Sequence, residues 1–179
     1  RQRQMCIRDR YYDRAWTLTP DDNELGFKKT ALALAGEEYQ MAVAGADKLL
    51  QQTENTKPEH LQAYQLKVLA QIQDAERQSK ETSWTQVAET LKKGIADGLD
   101  PVSSSYQLAV IYRQRPIDSI EERQRATAAE QVFSDLLSKR STDPLAWFAR
   151  YTFHKIFAAP EVAPETDSPA SQDPAVDPR

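Results

Sequence analysis

The chain has 179 residues, a formal net charge of −4 and 40% hydrophobic residues, which is enough apolar material for one domain with a sizeable core. One cysteine and two histidines exclude a disulfide framework and a thiolate metal cluster, and no apolar run nears the roughly 20 residues that span a bilayer. The acids Glu161, Glu165, Asp167, Asp173 and Asp177 stand near the C-terminus against Arg179 alone; the remaining near-neutral body lacks the electrostatic footprint of phosphate-backbone binding, so nucleic acid is not an expected partner.

Residues 1–10 are set aside before the fold is read. Read back into codons, Arg1-Gln2-Arg3-Gln4 fits CGG CAG CGT CAG and Met5-Cys6-Ile7-Arg8-Asp9 fits ATG TGT ATA AGA GAC. The segment therefore resembles a sequencing adapter translated in frame, and it carries the single cysteine, Cys6. The chain proper is expected to begin at residue 11 as a fragment of a longer protein, and nothing about compartment follows from it.

From there the sequence predicts helices near 8–18, 22–35, 38–52, 58–77, 81–97, 101–114, 118–140 and 143–157. The intervening stretches are rich in Ala, Leu, Gln, Glu and Lys, which lose least on entering a helix. Starts are marked by short polar caps that accept from the free N–H groups of a first turn. These are Asp21 and Asp22 after Pro20, Thr56 with Glu59, Asp100 before Pro101, Ser119 with Glu122, and Asp143 before Pro144. Gly36, Gly98 and Pro116 mark stops. Trp84, Val87, Ala88, Leu91 and Ile95 follow a one-sided helical stripe, as do Ala129, Val132, Phe133, Leu136 and Leu137, so both sets are expected in the core. No strand alternation or hairpin turn appears. Beyond Phe157, prolines 160, 164, 169, 174 and 178 alternate with acids. Residues 158–179 are expected to be a disordered tail or linker.

The helices repeat in pairs. Leu32-Ala33, Leu69-Ala70, Leu108-Ala109 and Phe148-Ala149 lie 37, 39 and 40 residues apart, and Ala42, Ala88 and Ala129 each precede a core residue by seven. An alanine recurs where a helix hairpin must close tightly, since a small side chain leaves room for the bulk opposite. With these pairs, Tyr12-Asp13-Arg14-Ala15-Trp16-Thr17-Leu18-Thr19-Pro20, then Gly36, Tyr39 and Ala42, and Leu108-Ala109 followed by Tyr112, resemble the tetratricopeptide repeat family over residues 11–157. The spacings exceed that family's repeat of about 34 residues, so a related helical-hairpin solenoid fits the same pattern. The resemblance implies an all-α fold, a right-handed α-solenoid of stacked antiparallel hairpins. It also implies a non-catalytic scaffold that holds a peptide or partner protein in its concave groove.

In such arrays the groove-facing positions lie two and five residues on either side of the first residue of each large-Ala pair. Carried onto this chain, that implies Tyr64, Lys67, Gln71 and Asp74, then Tyr106 and Arg113, then Arg150 and Phe153. A groove of this mix suits a polar or acidic peptide.

The residues offer no competing chemistry. There is no phosphate loop, dinucleotide fingerprint, zinc-protease motif or nucleophile elbow, and no cofactor, metal site or catalytic residue is expected. His60 and His154 read as exposed or core-edge side chains, and Ser103 to Ser105 as a solvated helix start. Arg113, Arg115, Arg123 and Arg125 bracket Pro116 and read as a solvated face partly neutralised by Glu121 and Glu122. Leu145, Trp147, Phe148, Tyr151, Phe153, Ile156 and Phe157 fall all round one helix, which predicts self-association through 143–157 or further repeats beyond it. An alternative reading makes the array the docking arm of a larger enzyme.

Overall fold

The computed structural model describes residues 10–12, 14–54, 57–78, 81–118 and 120–157. The adapter-like segment up to residue 9, the tail 158–179 and the caps Thr56 and Ser119 lie outside them. The described chain is all-helical. Residues 10–12 and 14–18 are helical, the latter being α1. Then come α2 (Asn23–Ala35), α3 (Tyr39–Gln52), α4 (Pro58–Gln78), α5 (Glu81–Ala96), α6 (Pro101–Gln114), α7 (Arg125–Lys139) and α8 (Pro144–Phe157). Each helix from α2 onward packs on the next, and α2 also reaches α4 as α6 reaches α8.

Local chemistry sets most of these limits. Asp22 accepts from the Leu25 N–H at 3.1 Å, Asp100 from the Ser103 N–H at 2.9 Å and Asp143 from the Leu145 N–H at 2.9 Å. Each answers one of the donors that a first turn leaves open. Two helices close with the same crossed pair of backbone hydrogen bonds. Glu38 N–H to Ala33 O and Glu37 N–H to Leu34 O end α2; Leu99 N–H to Gly94 O and Gly98 N–H to Ile95 O end α5. The left-handed residue is Gly98 in one, at φ 109°, but Glu37 in the other, at φ 62°. Gly36, the expected stop, sits one position early at φ −85°.

Asp100 also sets a pH dependence. Hydrogen bonds from the Ser103 hydroxyl and then its N–H hold the carboxyl below its usual value near 3.8. A depressed carboxyl contributes stability above its unfolded value and loses it as pH falls through the folded one. Asp100→Ala is therefore expected to lower stability by about 1 kcal/mol at neutral pH. In urea titrations the gap to the parent should close in acid, and a gap independent of pH would refute this account of the cap.

The element expected at 118–140 is corrected. Pro116 ends α6, and the chain then turns tightly: the Ile120 N–H donates to Ile117 O at 3.0 Å, an isolated bridge. This turn buries Ile117, and the Asp118 N–H is taken by the Thr85 hydroxyl at 3.1 Å. With its backbone satisfied this way the segment does not join the helix. A single 3-10 turn at Glu122–Gln124 follows, and α7 starts at Arg125.

The core runs through the repeated alanines. Ala33, Ala42 and Ala70 meet in one buried cluster joining α2, α3 and α4. A larger cluster from α4 to α8 is built around Trp84, Val87, Leu91, Tyr112, Phe133 and Phe153, with Ala88, Ala109, Ala129 and Ala149 among them. The large partners of those alanines behave differently: Leu108 is buried, whereas Leu69 and Phe148 are exposed. Ser104 and Ser105 are buried too, not solvated as expected, because they fall on the inward face of α6 beside Leu108 and Ala109.

Candidate partner-binding groove

His60, Tyr64, Lys67 and Gln71 recur at intervals of four, three and four, which places them on one stripe of α4. That stripe is the floor of an open cavity of about 670 Å³, walled by Val43, Asp47, Leu50 and Gln51 of α3 and by Gln86, Glu89, Thr90 and Lys93 of α5, with Asp97 just beyond it. Lys67 Nζ pairs with Asp47 Oδ1 at 2.7 Å, tying the floor to the α3 wall. The Tyr64 hydroxyl donates to Asp97 Oδ2 at 2.6 Å, tying it to the end of α5. Burial, then the hydrogen bond to Asp97 and its charge, push the Tyr64 phenol well above its ordinary value, so it remains a neutral donor.

His60 closes the inner end. Its ring stands edge-on to Tyr64, with centroids 5.3 Å apart. The Thr53 hydroxyl donates to Leu49 O at 2.7 Å, so its oxygen accepts from His60 Nδ1 at 3.0 Å, with Thr53 O 3.2 Å from the same nitrogen. The other ring nitrogen, Nε2, lies 4.0 Å from Asp97 Oδ2. At 3% exposure His60 is buried, which excludes the exposed one of the two places expected for it. The aromatic contact and the Thr53 bonds account for this burial by packing the ring and pairing Nδ1, while Nε2 has no hydrogen-bond partner among the described residues.

The residues expected to line one groove do not all meet. Tyr64, Lys67 and Gln71 share the cavity. Asp74, one turn on, instead binds the side chains of Gln40 and Gln78 at a separate rim. Tyr106 and Phe153 pack edge to face, 6.3 Å between centroids, at the margin of the core. Arg150 pairs with Glu130, which also takes His154 at 2.9 Å. Arg113 lies on the last turn of α6, outside the cavity. The arginines round Pro116 also part ways: Arg115 bonds Glu76 at 3.2 Å and covers the Trp84 ring at 4.4 Å, while Arg123 pairs with Glu121 at 2.6 Å.

Comparison with protein-family models, with curated proteins and with solved structures finds no match to this chain. Among the described residues no group of three or more His, Cys, Asp or Glu is placed to hold a metal ion, and no helix is long and apolar enough to cross a membrane. What the cavity offers is an open polar trough. Its floor supplies an amide and an ammonium, and its exposed wall supplies Gln86, Glu89 and Lys93. The wall residues are missed when only the first helix of each hairpin is expected to face a partner. His60 had a readable signal, standing one turn before Tyr64 on the same face.

Proposed function

We propose that this chain is a non-catalytic interaction scaffold: a tetratricopeptide-like, right-handed array of antiparallel hairpins that holds an extended peptide of a partner protein in the trough over α4. The observation that carries this reading is the cavity itself. Three residues named by the repeat resemblance, Tyr64, Lys67 and Gln71, form its floor in register. Two further features support it. Among the described residues, contacts from α2 to α8 run only between helices adjacent or next but one in the chain, as in stacked repeats. The buried alanines also recur at the hairpin crossings.

An extended peptide in such a trough would place its backbone N–H and C=O groups against Gln71, Gln86 and Thr90, and polar side chains against the Lys67, Glu89 and Lys93 charges. Panning a random-peptide display library on the chain should enrich a related set of sequences. Exchanging the wall charges with Glu89→Lys and Lys93→Glu leaves net charge unchanged and touches only exposed side chains, so folding should be unaffected. Affinity for the enriched peptides is expected to fall at least about tenfold, or roughly 1.4 kcal/mol. Failure to enrich any set, or peptides indifferent to the exchange, would remove the trough as the binding site.

A further inference from the structure

The last helix presents a second surface, independent of the trough. Ala146, Ala149 and Phe153, spaced three and four apart, face inward, and Phe153 packs on Phe133 at 5.1 Å and on Phe157 at 4.7 Å. Phe148 and Tyr151 point away from that face, with Leu145 and Ile156 on one flank and Trp147 on the other, and Leu145, Trp147, Phe148, Tyr151 and Ile156 are 64%, 51%, 65%, 63% and 58% exposed. Among the described residues these are five of nine exposed large hydrophobic side chains, concentrated on the outward half of one 14-residue helix. With aromatic side chains burying about 150–250 Å² each, the patch is on the order of 500 Å², near the upper range of what a lone soluble chain leaves open.

Charge identifies what fits it. α8 contains Arg150, His154 and Lys155 and no carboxylate. Arg150 and His154 are both answered by Glu130 of α7. Lys155 stands one turn after Tyr151 and two after Phe148, so an exposed ammonium lies within the apolar stripe itself. Whatever covers the stripe must bring an acid to that position or bury a charge unpaired. A second α8 brings only more cations. An anionic lipid surface is attracted by clusters of about 4–8 basic residues, whereas here one lysine remains on a chain of net charge −4.

We propose that the outer face of α8 is the docking site for an acidic amphipathic helix of a partner protein, with its apolar side chains between Leu145, Phe148 and Tyr151 and a carboxylate on Lys155. The chain carries its own reporter. Trp16 and Trp84 are 5% and 3% exposed, so a change of polarity on this face is read by Trp147. The probe is a synthetic tryptophan-free helix with leucines at i, i+3, i+4 and i+7 spacing and glutamates beside them, together with a twin in which lysines replace the glutamates.

The glutamate peptide should shift Trp147 emission to the blue, saturably and less strongly as salt rises. Phe148→Asp should lose the response at least tenfold. Lys155→Glu should weaken the glutamate peptide and admit its lysine twin. Both positions are exposed, and circular dichroism melts superimposing on the parent establish that the variants fold. No shift overturns the proposal, as does equal binding of the twins by the parent chain. So do a concentration-dependent dimer that Phe148→Asp abolishes, which would give the face to a second copy, and a response to phosphatidylserine vesicles alone, which would give it to a membrane.

Discussion

Truncating Phe133 to alanine is expected to remove about 3–5 kcal/mol of stability. The side chain is 0% exposed and is held between helices, with the Phe153 ring 5.1 Å away. Alanine would leave a cavity where α6, α7 and α8 converge, and neighbours fixed by their own packing relax only partly into such a space. For a domain stable by about 5–15 kcal/mol, a loss of that size is a large share. In urea unfolding the midpoint should drop sharply with the slope unchanged. Phe148→Ala supplies the contrast, because it removes the same ring from a site 65% exposed and is expected to change stability by less than about 0.5 kcal/mol. Equal losses at the two positions would mean that the interior is not packed as described.

Gly45→Ala is expected to destabilise, against the ordinary rule for a helix interior. In an open helix the exchange gains about 1 kcal/mol. Here the added Cβ would stand 2.4 Å from Thr30 Oγ1 across the α2–α3 crossing. Thr30 has little room to yield, being 1% exposed with its hydroxyl donating to Gly26 O at 2.8 Å. Overpacking of this kind costs about 1–3 kcal/mol, so the clash outweighs the helical gain. Thr30→Ala in the same chain empties the space the new methyl needs. The double variant should therefore be more stable than the sum of the two single changes by at least about 1 kcal/mol. A Gly45→Ala chain with a raised unfolding midpoint would show that the helices can separate freely there.

What could be read from the sequence divides by range. Helix positions were legible because their signals are local: Asp22, Asp100 and Asp143 cap the first turns they precede, and Trp84, Val87, Ala88 and Leu91 face inward at the spacing that marked them. The small halves of the repeated pairs were legible for the same reason. The large halves were not, since whether Leu69 or Phe148 is covered depends on a neighbour that its own helix does not specify. The turn at 117–120 was hidden because its cause is tertiary, in the burial of Ile117 and the Thr85 hydroxyl from another helix. The candidate site was half legible. Tyr64, Lys67 and Gln71, implied by the repeat resemblance, share the cavity, but the α3 and α5 walls follow from how helices lean together, and Asp74, Arg113 and Arg150 lie outside the cavity for that same reason.

The neighbour-only pattern of helix contacts bears on how the chain acquires its shape. Every contact among α2 to α8 joins elements adjacent or next but one along the polypeptide, so little loop-closure entropy stands between an extended chain and any one contact. Such low contact order favours rapid folding. During synthesis from the N-terminus, α2 and α3 can shelter each other before α5 has been made, and each newly finished helix finds its mate already waiting.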